Sequence, residues 1–497
     1  MRENDLLVGG MAPRKTPFLF PSMKACTLGI LGLLSVPVHA VVVTTTVDED
    51  NGNALGTNGS GVSLREAVKY SSSGASVTFD PALSGALFRM TIAPLAISRS
   101  ITIDASSLPQ PVVLSGDRNN SGGVPDVGDL TVVTIAGGGN VLLNSVVITG
   151  GHHTGTGAGI HVSSGELTLR NSTVTGNKGT AIYSLTGPVD IEGCILSNNT
   201  AQGGAAVYTT GPLDIRDSTI TGNHASGDAG AVFLNGEGPG MIEDCVISGN
   251  TAGSSGGAIR SDGDLEVWRC TFLSNAAEAD GGAILAGSGE LWVETCTFSG
   301  NMAEGNGGGI RATTPLIVSK STLADNSAFN GGAISCDSGV LVSKSTLAEN
   351  TASSFGGAMD TSGSVSVYRS TVSRNTAQFI GGISIITASN INLSESIVAG
   401  NSGEIYPNLP DGFSGEIHIT SGNPRLAPLG DYGGPTHTMP PMPGSPAIDA
   451  ANVMMDLNPD QRGFLPFGTP DIGAAEFQGL TDIALFWKVD PDGDGIP

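Results

Sequence analysis

The sequence predicts an all-β protein: a right-handed parallel β-helix solenoid of about 25 residues per coil, with an N-terminal capping helix and an irregular C-terminal cap. Three observations carry this reading. Between Cys245 and Ile284 one phrase occurs twice: a small residue, an Asn five residues later, then Gly-Gly-Ala-Ile. It runs Cys245, Asn250, Gly256–Ile259, and again Cys270, Asn275, Gly281–Ile284. The repeat Asn then recurs at Asn177, Asn199, Asn223, Asn250, Asn275, Asn301, Asn326, Asn350, Asn375 and Asn401, in steps of 22 to 27 residues, a period that marks a solenoid. Finally, 73 Gly with only 14% charged and 5% aromatic residues suit short strands joined by tight turns.

Each part of the phrase has a physical reason. Segments such as Gly289 to Glu294 are strand-like, and no unit holds an uninterrupted helical pattern or a regular Leu grid, so helical and leucine-rich solenoids are excluded. Coils stacked ~4.8 Å apart make the eleven copies a rod of roughly 50 Å. Asn tolerates positive φ, which places it in the tight turn, and its side-chain amide can pair with the Asn above and below. Gly-Gly supplies a second bend and room for the next coil. The following Ala-Ile sends an apolar side chain inward. Cys194, Cys245, Cys270 and Cys296 stand where other copies carry Ser, and Cys336 lies elsewhere. An odd number of cysteines after the N-terminal segment, without metal-type spacing, argues against a disulfide framework or zinc, and leaves buried, Ser-sized thiols.

Residues 1–40 read as an export signal. Ala25 to Val36 is apolar, Lys24 gives the positive flank, Val38-His39-Ala40 resembles a cleavage site, and Met23 is an alternative start. The apolar run is short for a span, so no transmembrane segment is expected in the mature chain, which is secreted or displayed at a cell surface. Residues 41–131 form the N-terminal cap and first coils, with a capping box at Ser63 and Glu66 opening a short helix. The repeats fill residues 132–401, beginning with a copy at Asn144 to Gly150 that lacks the Asn. Residues 402–479 are rich in Pro and Gly; they would block the exposed strand edges of an open solenoid end, with Asp449 and Arg462 as candidate locking residues. Residues 480–497 begin an acidic tail. The net charge of −24 argues against nucleic acid or an anionic membrane as partner.

Several stretches carry a family resemblance. Phe272-Leu273-Ser274-Asn275 with Gly281–Ile284, and Phe298-Ser299-Gly300-Asn301 with Gly307–Ile310, resemble the repeats of chlamydial polymorphic outer-membrane proteins. Val62 to Val68 is similar to the CSLREA domain of secreted bacterial β-helix proteins, with Gly61-Val62 where that motif has its Cys. Gly422–Leu426, Asp431–Thr436, Pro443–Ala450, Asp460–Gly463 and Asp471–Ala474 follow in the order of the closing region of choice-of-anchor Q-type proteins. The resemblance implies an exported, pectate-lyase-like β-helix held at the surface by an interchangeable tail.

Candidate sites are few. Asp490, Asp492 and Asp494 alternate with Pro and Gly, as hard-oxygen calcium ligands on a closely wrapped loop would, and the stretch resembles the start of a thrombospondin type-3-like calcium repeat. Asp117, Asn119 and Ser121, followed by Asp126 and Asp129, form a second calcium-like spacing. Either is otherwise a polar turn. Trp268 with Asp262, Asp264 and Glu266 is the candidate ligand-binding set. Trp268 and Tyr368 lie two residues before the small-residue position and Trp292 four, so no regular aromatic stripe is expected. Asp190, Asp214, Asp264, Glu166 and Glu266 recur near one position and could line an outer face, neutralised by Arg170, Arg216, Arg269 and Arg369. His152-His153 reads as an exposed loop. No catalytic residue is assigned. The expectation is a structural, adhesive or interaction role, with an extracellular carbohydrate or a surface protein as partner and calcium as the one cofactor to consider. The alternative is a polysaccharide lyase or glycoside hydrolase, which a cluster of three or more charged side chains in one groove would favour.

Overall fold

The computed structural model describes residues 40–120, 128–236, 238–385, 390–410, 413–452 and 458–489. The export signal, Ser121 and Asp126, and Asp490, Asp492 and Asp494 lie outside the described residues. The chain is an all-β right-handed solenoid of about 13 turns with about 25 residues per coil and almost no helix.

One coil shows how the phrase folds. It has four short strands, Leu265–Trp268, Thr271–Leu273, Ala276–Ala277 and Ile284–Ala286. Each pairs in parallel with its counterpart in the next coil: Leu265 with Leu291, Thr271 with Thr297, Ala276 with Met302, Ile284 with Ile310. Inward and outward residues alternate, so Leu265 and Val267 are buried while Glu266 and Trp268 are partly exposed. A one-residue slip would turn the apolar row outward, which is why the register holds along the stack. Phe272 on Phe298, with parallel rings 4.5 Å apart, fills the core at the second strand.

Turn chemistry refines the expected roles. The ladder asparagines are not left-handed. The residue before each one is: Gly249 (φ 60°), Ser274 (φ 53°), Gly300 (φ 64°) and Asp325 (φ 56°) precede Asn250, Asn275, Asn301 and Asn326. This sharp turn aims the following Asn into the coil, where it is buried and bonded. Asn275 Nδ2 donates to Asn301 Oδ1 at 3.0 Å and to the Ile247 carbonyl at 2.9 Å, and Asn301 Oδ1 also accepts from the Asn275 backbone N–H at 3.0 Å. The same pattern runs from Asn177 to Asn401 and ends on Asn408.

The turn after the first strand repeats the device with Ser or Cys. Cys245 N–H donates to Cys270 Sγ at 3.4 Å, Cys270 N–H to Cys296 Sγ at 3.3 Å, and Cys296 N–H to Ser321 Oγ at 3.0 Å. All five cysteines of the described residues are free and buried. In Gly-Gly the two glycines do different things. Gly281 is left-handed (φ 68°), whereas a Cβ on Gly282 would lie 2.1 Å from the carbonyl oxygen of Gly308 in the next coil.

The N-terminal helix, Leu64–Tyr70, has the expected capping box: Ser63 accepts from the Glu66 N–H and the Glu66 side chain from the Ser63 N–H. His152 is buried and opens the strand His152–Val162, while His153 is exposed. The expected loop is therefore a strand, and only the exposure of His153 matches the expectation.

Residues 426–452 and 458–482 lie along the flank of the solenoid, over the outer face of its second strands. Thr322, Thr346 and Thr371 form one in-register outward column. Thr322 Oγ1 donates to the His437 carbonyl, Gln461 Nε2 donates to Thr322 Oγ1 at 2.9 Å, Thr346 Oγ1 donates to Gln461 Oε1 at 2.7 Å, and Ala474 N–H donates to Thr371 Oγ1 at 3.1 Å. Ile397, Ala399, Ala447, Ala451 and Ile472 close a small apolar cluster beneath this segment. Arg462 pairs with Asp460 at 3.0 Å and Asp482 at 2.7 Å, and Arg369 of the solenoid pairs with Glu476. Asp449, expected as a second lock, instead takes a left-handed turn (φ 56°), and its N–H donates to Asp471.

Candidate functional site

The outward residues of the first strands form two columns. Asp190, Asp214, Met241, Glu266 and Trp292 are successive partners in one, and Glu192, Arg216, Glu243, Trp268 and Glu294 in the other. Two chemistries meet on this face.

At the upstream end, Arg216 reaches Asp214 at 2.8 Å and Asp190 at 3.2 Å, and Arg170 pairs with Glu192 at 3.1 Å. Asp214 is the most enclosed of the pair Asp190 and Asp214. Burial pushes its carboxyl up to about 6 against the pull of Arg216, and the carboxylates of Asp190, Glu243 and Glu192 add to the rise. Asp190, Glu192, Asp214, Arg216 and Glu243 make a charged cluster that no single repeat reveals, because each coil contributes one or two members.

At the downstream end lies a pair of indoles. Trp268 and Trp292 differ in register, since Trp268 pairs with Glu294 and Trp292 with Glu266. Their rings are nonetheless near-parallel, at 11°, with centroids 6.2 Å apart, inside the range of offset aromatic pairs. Trp268 Nε1 donates to Glu266 at 3.3 Å and Trp292 Nε1 to Glu294 at 3.3 Å, so each indole is tethered by a carboxylate two residues away on its own strand. Glu294 also accepts from Lys320 Nζ at 3.1 Å, and Arg269 holds Glu243 and Asp244.

The expected ligand set is therefore divided. Glu266 and Trp268 share this face. Asp262 and Asp264 lie on the corner between the fourth and first strands, where Asp262 pairs with Arg260 at 3.2 Å and Asp264 Oδ1 accepts from the Glu290 N–H at 2.9 Å. Tyr368 occupies the column of Trp268 four coils further on.

A second aromatic feature is on the fourth strands. His161, Tyr183, Tyr208 and Phe233 are consecutive partners with ring centroids 5.5, 4.8 and 5.3 Å apart, and the Arg260 guanidinium sits 5.1 Å from the Phe233 centroid. A signal was present: each ring directly follows a buried Ile or Val, at Ile160, Ile182, Val207 and Val232. These rings cover one another, so this stripe stiffens the stack.

Of the second calcium-like set, Asp117 and Asp129 are buried, and Asp129 Oδ1 accepts from the Arg118 N–H at 3.2 Å. Among the described residues no group of three or more His, Cys, Asp or Glu side chains is placed to hold a metal ion. No helix among them is long and apolar enough to cross a membrane.

A search of curated proteins finds no match to the chain. Residues 157–315 match the family model of the right handed beta helix region. This stretch contains the charged cluster, both indoles and the aromatic stripe, so the candidate face belongs to the part of the chain that is similar to right-handed β-helix proteins.

Proposed function

We propose that this protein is an exported β-helix scaffold whose role is interaction, and that it binds an extracellular saccharide on the outer face of its first strands. The observation that supports this most directly is the Trp268–Trp292 pair, two near-parallel indoles on a rigid sheet with Glu243, Glu266 and Glu294 beside them. Indoles offer apolar area at small entropic cost, and adjacent carboxylates accept hydroxyl hydrogen bonds. A rigid sheet holds this geometry better than a loop. Binding of the full chain to a panel of extracellular polysaccharides tests the reading: Trp268→Ala and Trp292→Ala should each abolish retention while the fold persists. Retention unchanged in both variants would refute it.

A second reading is supported by the cluster at Asp190, Asp214 and Arg216. A carboxyl raised to about 6, with Arg216 and a second acidic side chain in contact, suits acid–base work on a glycosidic chain. Release of reducing or unsaturated ends from a polysaccharide, lost in Asp214→Asn, would replace the scaffold reading with a lyase or hydrolase. Calcium at Asp490, Asp492 and Asp494, and at Asp117, Asn119 and Ser121, belongs to the same proposal of an exported protein. Isothermal titration of the full chain with calcium tests it, and zero heat of binding would remove both loops.

A further inference from the structure

One corner of the coil, between the third and fourth strands, changes character along the rod. Just before the Gly-Gly pair, successive coils carry Asp280, Asn306 and Asn330. These satisfy one another: Asn306 Nδ2 donates to Asp280 Oδ1 at 2.9 Å, and Asn330 Nδ2 donates to Asn306 Oδ1 at 3.0 Å. The next three coils place Phe355, Ile380 and Tyr406 in the same register. The residue one earlier shifts likewise. Ala279 and Gly305 give way to Phe329, Ser354, Phe379 and Ile405, joined coil to coil by backbone hydrogen bonds.

Phe329, Phe355 and Ile405 are 53%, 38% and 58% exposed, and Phe379 and Tyr406 are partly exposed. The Phe355 and Phe379 rings lie 4.8 Å apart across neighbouring coils. The backbone of this corner takes Asn, Ser, Gly or Ala elsewhere along the rod, so the fold does not require aromatic rings there. A contiguous run of exposed apolar side chains marks a contact site, and aromatic rings are enriched at the centres of protein interfaces.

The unpaired charges bordering this patch are acidic. In three successive coils the residue after the buried Ala that ends the third strand is Glu278, then Glu304, then Phe329. Glu404 stands beside Ile405 at the other end. All three carboxylates are exposed, and none has an ion pair or side-chain hydrogen bond among the described residues. The arginines on the adjoining turn and strand are neutralised, Arg374 by Glu349 at 3.5 Å and Arg311 by Asp337 at 2.6 Å. A second copy would bring the same acids and a net charge of −24, and an anionic membrane would be repelled as well. A polypeptide with Lys or Arg beside apolar side chains complements both the rings and the acids.

We propose that the corner formed by Phe329, Phe355, Phe379, Ile405 and Tyr406 docks a protein segment that sets apolar side chains on the rings and Lys or Arg against Glu278, Glu304 and Glu404. The inference stands apart from the saccharide reading and assigns the rod a second, protein-binding surface.

The test uses the full chain and three short fluorescent peptides: one of Leu, Lys and Ser, one with Glu in place of each Lys, and one with Ser in place of each Leu. Anisotropy gives affinities at low and physiological salt. One variant combines Phe355→Asn with Phe379→Ser, residues that the same columns carry in other coils. A second combines Glu304→Gln with Glu404→Gln, and a third is Trp268→Ala; thermal unfolding is recorded for each. The Leu–Lys peptide should bind at least about tenfold more tightly than either control. The double Phe variant should lose about tenfold in affinity with its melting temperature unchanged. The double Glu variant should lose most of the preference for Lys over Glu, and Trp268→Ala should bind as the wild-type chain does. Failure of the Leu–Lys peptide to bind, equal binding of the Lys and Glu peptides, or unchanged affinity in the double Phe variant overturns the proposal. So does a double Phe variant that melts earlier while the double Glu variant keeps the Lys preference, since the rings would then serve the fold. Self-association of the wild-type chain that the Phe substitutions abolish, or binding to phosphatidylcholine vesicles in preference to the peptide, also overturns it, assigning the patch to a second copy or a lipid surface.

Discussion

The side-chain amide of Asn275 donates to Oδ1 of Asn301 at 3.0 Å, and the backbone N–H of Asn275 donates to the same oxygen. One acceptor thus satisfies two buried donors of the coil beneath it. Asn301→Ala removes that acceptor and leaves both donors without water to replace it. The expected loss is about 2–6 kcal/mol, at about 1–3 kcal/mol for each of the two stranded buried donors. Asn301→Asp should cost at least as much, because a carboxylate cannot donate to the Phe272 carbonyl or to Asn326. Urea unfolding monitored by circular dichroism measures both.

Two glycines separate conformational strain from collision. Gly249 is left-handed with nothing within 4 Å of a Cβ built on it, whereas a Cβ on Gly282 would lie 2.1 Å from the Gly308 carbonyl oxygen. Gly249→Ala should cost about 1 kcal/mol. Gly282→Ala should cost about 3 kcal/mol, because the neighbouring coil must move. Equal unfolding midpoints for the two variants would contradict the packing described.

The thiols of the turn ladder should be replaceable. Cys270→Ser preserves an acceptor for the Cys245 N–H and a donor toward the Trp268 carbonyl, as Ser321 and Ser345 do in later coils. Its expected effect is under about 1.5 kcal/mol. Cys270→Val strands the Cys245 N–H and should cost about 1–3 kcal/mol. Burial and the thiol of Cys296 push the Cys270 thiol far above its ordinary range, so in the folded chain it should resist alkylation at pH 8 until denaturant is added.

The flanking segment should loosen as pH rises. Burial raises Glu476 to about 7 and Asp471 to about 6, from ordinary values of 4.5 and 3.8, despite the Arg369 guanidinium. Both groups hold their protons more tightly folded than unfolded, so their contribution to stability is full below the ordinary values and is lost as pH climbs through about 6 and 7. Amide exchange across residues 470–477, corrected for intrinsic rate, should show falling protection from pH 5 to pH 8. Glu476→Gln should flatten that slope. A slope of opposite sign would mean that ion pairing with Arg369 outweighs burial.

The parts of the molecule that read well from sequence are those where one residue type answers one geometric demand in every coil. The Asn row and the Gly-Gly pair are such cases, although the left-handed residue turned out to be the neighbour of the Asn. Ser63 and Glu66 were legible because a capping box is local. The charged cluster was legible in part: Asp190 and Asp214 recur at one repeat position with Arg216 close by, whereas Glu192 and Glu243 join them only through the exact register of three coils of different length. The Trp268–Trp292 pairing was hidden because its members sit two residues apart in register and meet diagonally across neighbouring strands. The flanking position of Gln461 left no local trace. Its partners, Thr322 and Thr346, are more than a hundred residues away, and a Thr column looks the same whether water or another segment covers it.

That covering segment changes how the rod can come apart. A stack of near-identical coils, each touching only its neighbours, is free to fray one coil at a time from an open end. Residues 426–452 and 458–482 of the covering segment grip Thr322, Thr346, Thr371 and Ile397 together, so the last coils cannot peel away singly while it stays docked. A gradual unzipping from that side becomes one cooperative step, with the segment as its latch, and a mechanical pull on the C-terminal end would be borne by several coils at once.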